Sequence, residues 1–258
     1  MSVVALRSVD VWFADGPTVL HAIDLDIGPG EHWALLGPNG AGKSTLLAVV
    51  GAQRHPSRGE AEILGHRLGR VDVRELRRAI GTVDVRLRMP GGMTVADYVL
   101  TGVTQTVQPM PSRYGDRDRS ELARLLSLVG LDGVSDRAVG VCSQGERARA
   151  RLARALMPSP PLLLLDEPAA GLDLPGRHDL LVTLEALAAG DPRLTTVTVA
   201  HHLEELPSTT THVALLRDGR FVATGPASLL ADAAALSECF GRPVSAFEAG
   251  GRWYAAAG

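Results

Sequence analysis

The chain has 258 residues, of which 45% are hydrophobic and 21% charged, with a formal net charge of −3. That length and apolar content suit one domain with a sizeable core and an inserted subdomain, and the weak negative balance excludes the global basic field of a nucleic-acid binder. Two cysteines, Cys142 and Cys239, give neither a disulfide framework nor zinc spacing and fit a reducing cytosol. No apolar run approaches the ~20 residues that span a bilayer, and no signal-peptide core follows a charged N-terminal region. Any service to a membrane is therefore expected from the cytoplasmic side, through a partner chain.

Residues 3–27 alternate as strands do, through Val3-Val4-Ala5-Leu6, Val9-Asp10-Val11-Trp12-Phe13, Val19-Leu20 and Ile23-Asp24-Leu25-Asp26-Ile27. Asp15-Gly16-Pro17 and Gly28-Pro29-Gly30 read as the turns between them, so an antiparallel β region is expected beside the core. Trp12-Phe13 admits two readings. One ring, Phe13 by preference, stacks on adenine; alternatively, one ring packs inside while the other lies on the surface.

His32-Trp33-Ala34-Leu35-Leu36 reads as a short buried strand, and Leu46-Leu47-Ala48-Val49-Val50 as an apolar helix. Between them runs Gly37-Pro38-Asn39-Gly40-Ala41-Gly42-Lys43-Ser44-Thr45, which fits the phosphate-loop pattern G-x-x-x-x-G-K-[ST]. It holds the chain's one lysine and one asparagine; every other basic side chain among the 26 Lys and Arg is arginine. Glycines let backbone N–H groups turn inward as an anion nest. A compact ammonium then reaches the β- and γ-phosphates, where a planar guanidinium fits poorly. Ser44 is placed to put its hydroxyl on Mg²⁺, and the helix starting near Lys43 points its positive end at the phosphates. A glycine-rich turn with an incidental lysine is the alternative, and the strand–loop–helix context weighs against it. The loop binds a nucleoside triphosphate.

Ser57–Gly65 reads as a turn and a strand, Val73–Ile80 as a short helix and Gly81–Val85 as a strand. From Arg86 to about Gly140 the pattern turns helical, with candidates at Val95–Gly102 and Arg119–Val129; the latter sets Leu122, Leu125, Leu126 and Val129 on one face. Pro109-Met110-Pro111 and Gly115 break the region between them. Arg113, Arg117 and Arg119 read as a solvated face. Cys142-Ser143-Gln144-Gly145-Glu146 precedes a helix over Arg147–Met157. Its Ser and Gly form either an N-cap or a second anion site.

Pro161-Leu162-Leu163-Leu164-Leu165-Asp166-Glu167-Pro168 has the form of a fully buried parallel strand, whose carboxyl end is where such sheets place their chemistry. Asp166 suits Mg²⁺, directly or through water, and Glu167 suits polarising a water toward γ-phosphate. Asp179–Ala189 reads as a helix and Thr195–Ala200 as β, followed by His201-His202. His201 either contacts γ-phosphate or is a cap or loop residue. Val213–Thr224 reads as a hairpin around Arg217-Asp218-Gly219-Arg220, and Pro226–Phe240 as mostly helical. The tail Arg252–Gly258 carries no clear signal.

In order and spacing these parts resemble the ATP-binding subunit of an ABC transporter over nearly the whole chain. Gly37–Thr45 is similar to Walker A, Leu162–Glu167 to Walker B and Ala170-Gly171-Leu172-Asp173 to the D-loop, and His201 falls at the switch histidine. Ser143-Gln144-Gly145-Glu146 is similar to the signature, with Gln for its first Gly and Glu for its final Gln. The resemblance implies an α/β phosphate-loop core (1–85 and 140–258) with an antiparallel β region and a helical insert (86–139). It further implies a head-to-tail homodimer, or a dimer of related cassettes, that encloses two ATP with Mg²⁺. Lys43, Glu167 and His201 would be catalytic, and Ser44 and Asp166 would hold metal. Phe13, residues 37–45 and Asp173 would contact nucleotide, with Ser143, Gly145 and Glu146 approaching from the opposite chain. The cycle would drive a separate transmembrane permease, importer-like, from the inner face of the membrane.

One departure concerns the family's loop glutamine, due near Val85 or Arg88, because no glutamine lies between Gln53 and Gln105. Asp84 or Arg88 is the expected substitute, and the alternative is that this loop stays out of the site. Two further functions compete: a soluble ABC-type ATPase of translation, repair or cofactor assembly, and a nucleotide-binding regulator with little turnover.

Overall fold

The computed structural model describes residues 2–14 and 16–257, so Asp15 of the first predicted turn and Gly258 of the tail lie outside the described residues. In chain order the elements are β1 (Val4–Trp12), β2 (Thr18–Ile27), β3 (His32–Leu36), α1 (Lys43–Val50), β4 (Arg58–Ile63), β5 (His66–Arg67), α2 (Val73–Arg78) and β6 (Ile80–Asp84). Then follow α3 (Val95–Thr104), α4 (Asp116–Leu128), α5 (Gln144–Leu156), β7 (Leu162–Asp166), α6 (Leu174–Gly190) and β8 (Thr195–Val199). The last are β9 (His212–Arg217), β10 (Arg220–Pro226), α7 (Ala233–Phe240), β11 (Val244–Ala249) and β12 (Arg252–Ala257).

A six-stranded sheet runs β10-β9-β3-β8-β7-β6, with all pairs parallel except the β9–β10 hairpin. The four leucines of β7 are each no more than 1% exposed, and their alternation divides two cores. Leu162 and Leu164 join α1 and the strands of the antiparallel sheet β2-β1-β4-β5. Leu163 and Leu165 face the other way, into a core shared with Val99 of α3, Leu125 of α4, Leu152 of α5 and Leu180 of α6. A strand buried on both faces is apolar at every position, which is why this run could be read from sequence. Its neighbours end on the same edge of the sheet. Consequently the loop after β3, Asp84, Asp166-Glu167 and His201 all emerge at the carboxyl end, where α/β sheets carry their sites.

Several boundaries move for local reasons. The α6 helix begins at Leu174 rather than Asp179, because Asp173 caps it (Oδ1 accepts from Gly176 N–H at 3.0 Å) and Pro175 suits its first turn. Gly176, Arg177 and His178 carry no apolar period, so the pattern starts too late to mark the true end. The α4 helix starts at Asp116 rather than Arg119, with Asp118 accepting from the Gly115 N–H at 2.8 Å. The tail that carried no clear signal is the second strand of a hairpin: β11 pairs β12 across Gly250-Gly251, both at positive φ (+60° and +76°). Phe247 and Tyr254 stack across it at 5.6 Å, and Arg252 ties it to Glu185 of α6 at 3.2 Å. No described helix is long and apolar enough to cross a membrane.

Candidate nucleotide site

The loop after β3 needs glycine for two different reasons. At Gly37 (φ +150°) a Cβ would stand 1.9 Å from the Leu216 carbonyl oxygen, so the close packing of loop on β9 excludes any side chain. At Gly40 (φ +81°) a Cβ would meet nothing within 4 Å, so it is the left-handed backbone and not crowding that calls for glycine. Helices α2, α3, α5, α6 and α7 each close their first turn with a capping side chain, whereas α1, which follows Gly42, has none, as α4 after Gly115 has none. No N-cap side chain therefore covers the N–H groups of the first turn of α1.

Lys43 is buried, and its Nζ donates to the carbonyls of Gly37 (2.6 Å) and Pro38 (3.0 Å). Burial pushes its pKa down, opposed by the charges of Glu167, Cys239 and Asp166. Residues 39–45 line a cleft of about 260 Å³ together with Val19, Glu167 and His201. At its floor the Ser44 hydroxyl lies 3.5 Å from Asp166 Oδ1. His201 Nε2 lies 2.7 Å from Glu167 Oε1, while Glu205 Oε2 accepts from the His201 N–H at 3.0 Å and fixes that turn. Glu167 itself stands in the left-handed region (φ +53°), which costs a non-glycine residue on the order of 1 kcal/mol. The strained turn takes its side chain off the strand repeat, and its N–H still finds Val199 O at 3.1 Å.

The β6–β7 register sets Asp84 opposite Asp166. Of the two expected substitutes for the family's glutamine, Asp84 is at the site, but Arg88 is exposed and joins none of the ion pairs among the described residues. The arginine that reaches these two carboxylates is Arg86, which the sequence reading missed. Its Nε donates to Asp84 Oδ1 at 2.9 Å and its Nη2 to Asp84 Oδ2 at 3.0 Å, and Nη2 also contacts Asp166 Oδ2. Burial opposes ionisation of Asp84, but hydrogen bonds from Arg86 outweigh it and hold the pKa below the usual range. For Asp166, more deeply enclosed and flanked by Asp84 and Glu167, burial prevails over Arg86 and the pKa is raised. Among the described residues no three His, Cys, Asp or Glu side chains form a self-sufficient metal cage. One hydroxyl and a carboxylate, with phosphate oxygens and water, suit Mg²⁺, which keeps several waters and few protein ligands.

Ser143, Gly145, Glu146 and Asp173 do not reach this cleft. They line a second one, of about 580 Å³, with Gly176 and Asp179. There Ser143 is a helix cap: its Oγ accepts from Glu146 N–H (3.1 Å), and Glu146 Oε2 accepts from Ser143 N–H (2.7 Å). Arg137 holds the other oxygen of Glu146 at 2.9 Å. The Ser143 backbone hydrogen bond, joined by Arg137, lowers the Glu146 pKa. Phe13 lines neither cleft; its ring is exposed, under the Arg54 guanidinium at 3.6 Å. Trp12 is exposed as well, so neither aromatic belongs to the core.

The family described as ABC transporter matches residues 20–170. The chain is 38% identical to the hemin import ATP-binding protein HmuV of Streptomyces coelicolor, over 90% of this chain and 81% of that one. It is 30% identical to the ferric enterobactin transport ATP-binding protein FepC of Escherichia coli K12, over 93% and 88%. Among solved structures it superposes on the ATP-binding cassette MJ0796, a dimer in a post-hydrolysis state bound to ADP and Pi, with a TM-score of 0.74 and 25% identity over 86% of this chain and 98% of that one. With a phosphate loop, the carboxylate of Glu167 and a histidine at one cleft, the chain belongs to the ABC transporter family, as an ATP-binding subunit with ATPase activity that powers a membrane transporter.

Proposed function

We propose that the chain is a single cassette, with core residues 1–85 and 140–258 and a helical arm at 86–139, and that it works as a homodimer on the inner face of the membrane beneath an import permease. The observation that carries this is the pair of separate clefts. One holds the phosphate loop, Glu167 and His201; the other holds Ser143, Gly145 and Asp173, with no lining residue in common. A head-to-tail pair of copies brings each first cleft against the second cleft of its partner, as the dimeric MJ0796 cassette and the import and transport names of HmuV and FepC lead one to expect.

In that arrangement Lys43 exchanges its two loop carbonyls for phosphate oxygens, and the α1 N–H groups hold the phosphate chain. Ser44 and Asp166 would hold Mg²⁺, whose chemistry is to neutralise charge on the β- and γ-phosphates. Glu167 takes the proton of a water aimed at γ-phosphate, and His201 keeps that carboxylate oriented. Ser143 and Gly145 close on γ-phosphate from the other copy, and Phe13 offers its free face to adenine. Glu146 is tied to Ser143 and Arg137, so its part is to shape the signature rather than to touch nucleotide. Glu167→Gln keeps the shape and removes the base. ATP binding should survive, with steady-state hydrolysis down by about 10²–10⁴. Turnover at the parent rate would remove Glu167 from this role.

A further inference from the structure

Both oxygens of Asp166 have side-chain partners: Ser44 at Oδ1 and the Arg86 guanidinium at Oδ2. The same carboxylate is the one assigned to Mg²⁺, and a guanidinium on its Oδ2 offsets the negative charge that draws a divalent cation to the Ser44 side and repels that cation at close range. Arg86 is well placed to yield. Its side chain is 59% exposed, so it swings toward solvent without burying charge, and it stays anchored to Asp84 through Nε and through its own backbone N–H (2.9 Å each). The Nη2 that touches Asp166 also donates to Asp84 Oδ2 at 3.0 Å, so the guanidinium can give up Asp166 and keep its paired hydrogen bonds to Asp84.

The tether leads into the helical layer. Arg151 of α5 donates to Leu87 O at 3.2 Å, Met89 is buried among the residues of the helical core, and Gly140 N–H donates to Gly91 O at 3.0 Å. Residue 140 lies three positions before Ser143. A displacement at Arg86 therefore reaches α5 and the signature through contiguous contacts.

We propose that Arg86 competes with the divalent cation for Asp166, so that metal enters with ATP only by displacing the guanidinium, and that the displaced loop carries this event to α5 and the signature. This gives the site a loading sensor where the family's glutamine is missing, and it rests on the nucleotide-site reading above.

The test is the metal midpoint at a fixed ATP concentration not exceeding that of the protein, read by calorimetry with Mg²⁺ and, with Mn²⁺ as the probe, by the loss of the free-ion electron paramagnetic resonance signal beyond that caused by ATP alone. Arg86→Ala should lower the midpoint roughly fivefold or more, since one cation no longer has to be expelled from a half-buried pair. Arg86→Gln should do the same, and Arg86→Lys should fall between it and the parent. A purely structural role for Arg86 would shift the melting temperature and leave the midpoint alone. An unchanged or raised midpoint in both charge-removing variants, with ATP still bound, overturns the competition and leaves the nucleotide site standing. Failure of the parent to bind ATP overturns both.

Discussion

Replacing Lys43 tests whether the loop was built for an ammonium. Lys43 is only 6% exposed, so a charge there acts through an effective dielectric constant of about 20, and an ion pair with phosphate at roughly 4 Å is worth about 4 kcal/mol. Lys43→Ala should then weaken ATP binding by roughly a thousandfold. Lys43→Arg keeps the charge but must fit a planar fork where Nζ now sits between the carbonyls of Gly37 and Pro38, at 2.6 and 3.0 Å. Overpacking of that kind costs about 1–3 kcal/mol, a loss of about five- to more than a hundredfold in affinity. Isothermal calorimetry with ATP and Mg²⁺ reads both. Arginine binding within about threefold of the parent, or alanine losing less than about tenfold, would refute the reasoning from loop geometry.

Leu164→Ala empties a fully buried site between β7 and α1 and should cost about 3 kcal/mol, lowering the melting temperature by roughly 6–12 °C. Leu174→Ala, at a largely exposed position, should stay within about 0.5 kcal/mol. Glu146→Ala removes the capping box at the start of α5 and should lower the melting temperature by a few degrees at pH 7, for about 1 kcal/mol. Because the folded-state pKa of Glu146 is depressed, its contribution is present above the unfolded value and is lost as pH falls through the folded one. The gap between parent and variant should therefore close in acid. A gap that stays the same from neutral pH into acid would assign the loss to packing instead.

The phosphate loop and the acidic strand end were legible because each carries its physics in adjacent residues. Gly37–Thr45 forms a nest by itself, and four leucines followed by Asp166-Glu167 need no partner strand to be read. Arg86 was not legible in the same way. Its place depends on the β6–β7 register that sets Asp84 beside Asp166, which no local pattern encodes, whereas the spacing of the family's glutamine points to Arg88. The C-terminal hairpin had a turn signal in Gly250-Gly251, but Val244–Ala249 alternates too weakly to announce a strand without Tyr254 opposite Phe247. The aromatic pair misled differently: burial of one ring was a fair alternative for Trp12-Phe13, yet both lie where β1 leaves the sheet, and Arg54 covers Phe13. Ser143 is a cap within one chain, and its use by a second copy is what the family resemblance implies and the disjoint clefts leave room for.

The head-to-tail dimer is tested most directly by light scattering on a sizing column with Glu167→Gln, ATP and Mg²⁺. Arrested hydrolysis should hold each phosphate loop against the partner's signature, so the variant should run at twice the chain mass with ATP and at the chain mass with ADP. Adding Ser143→Arg places a bulky cation in the second cleft and leaves the phosphate loop of the same chain intact. That double variant should still bind ATP and stay monomeric. A dimer that forms equally well with Arg at position 143, or Glu167→Gln that remains a monomer while saturated with ATP, would contradict a site completed by the opposite chain.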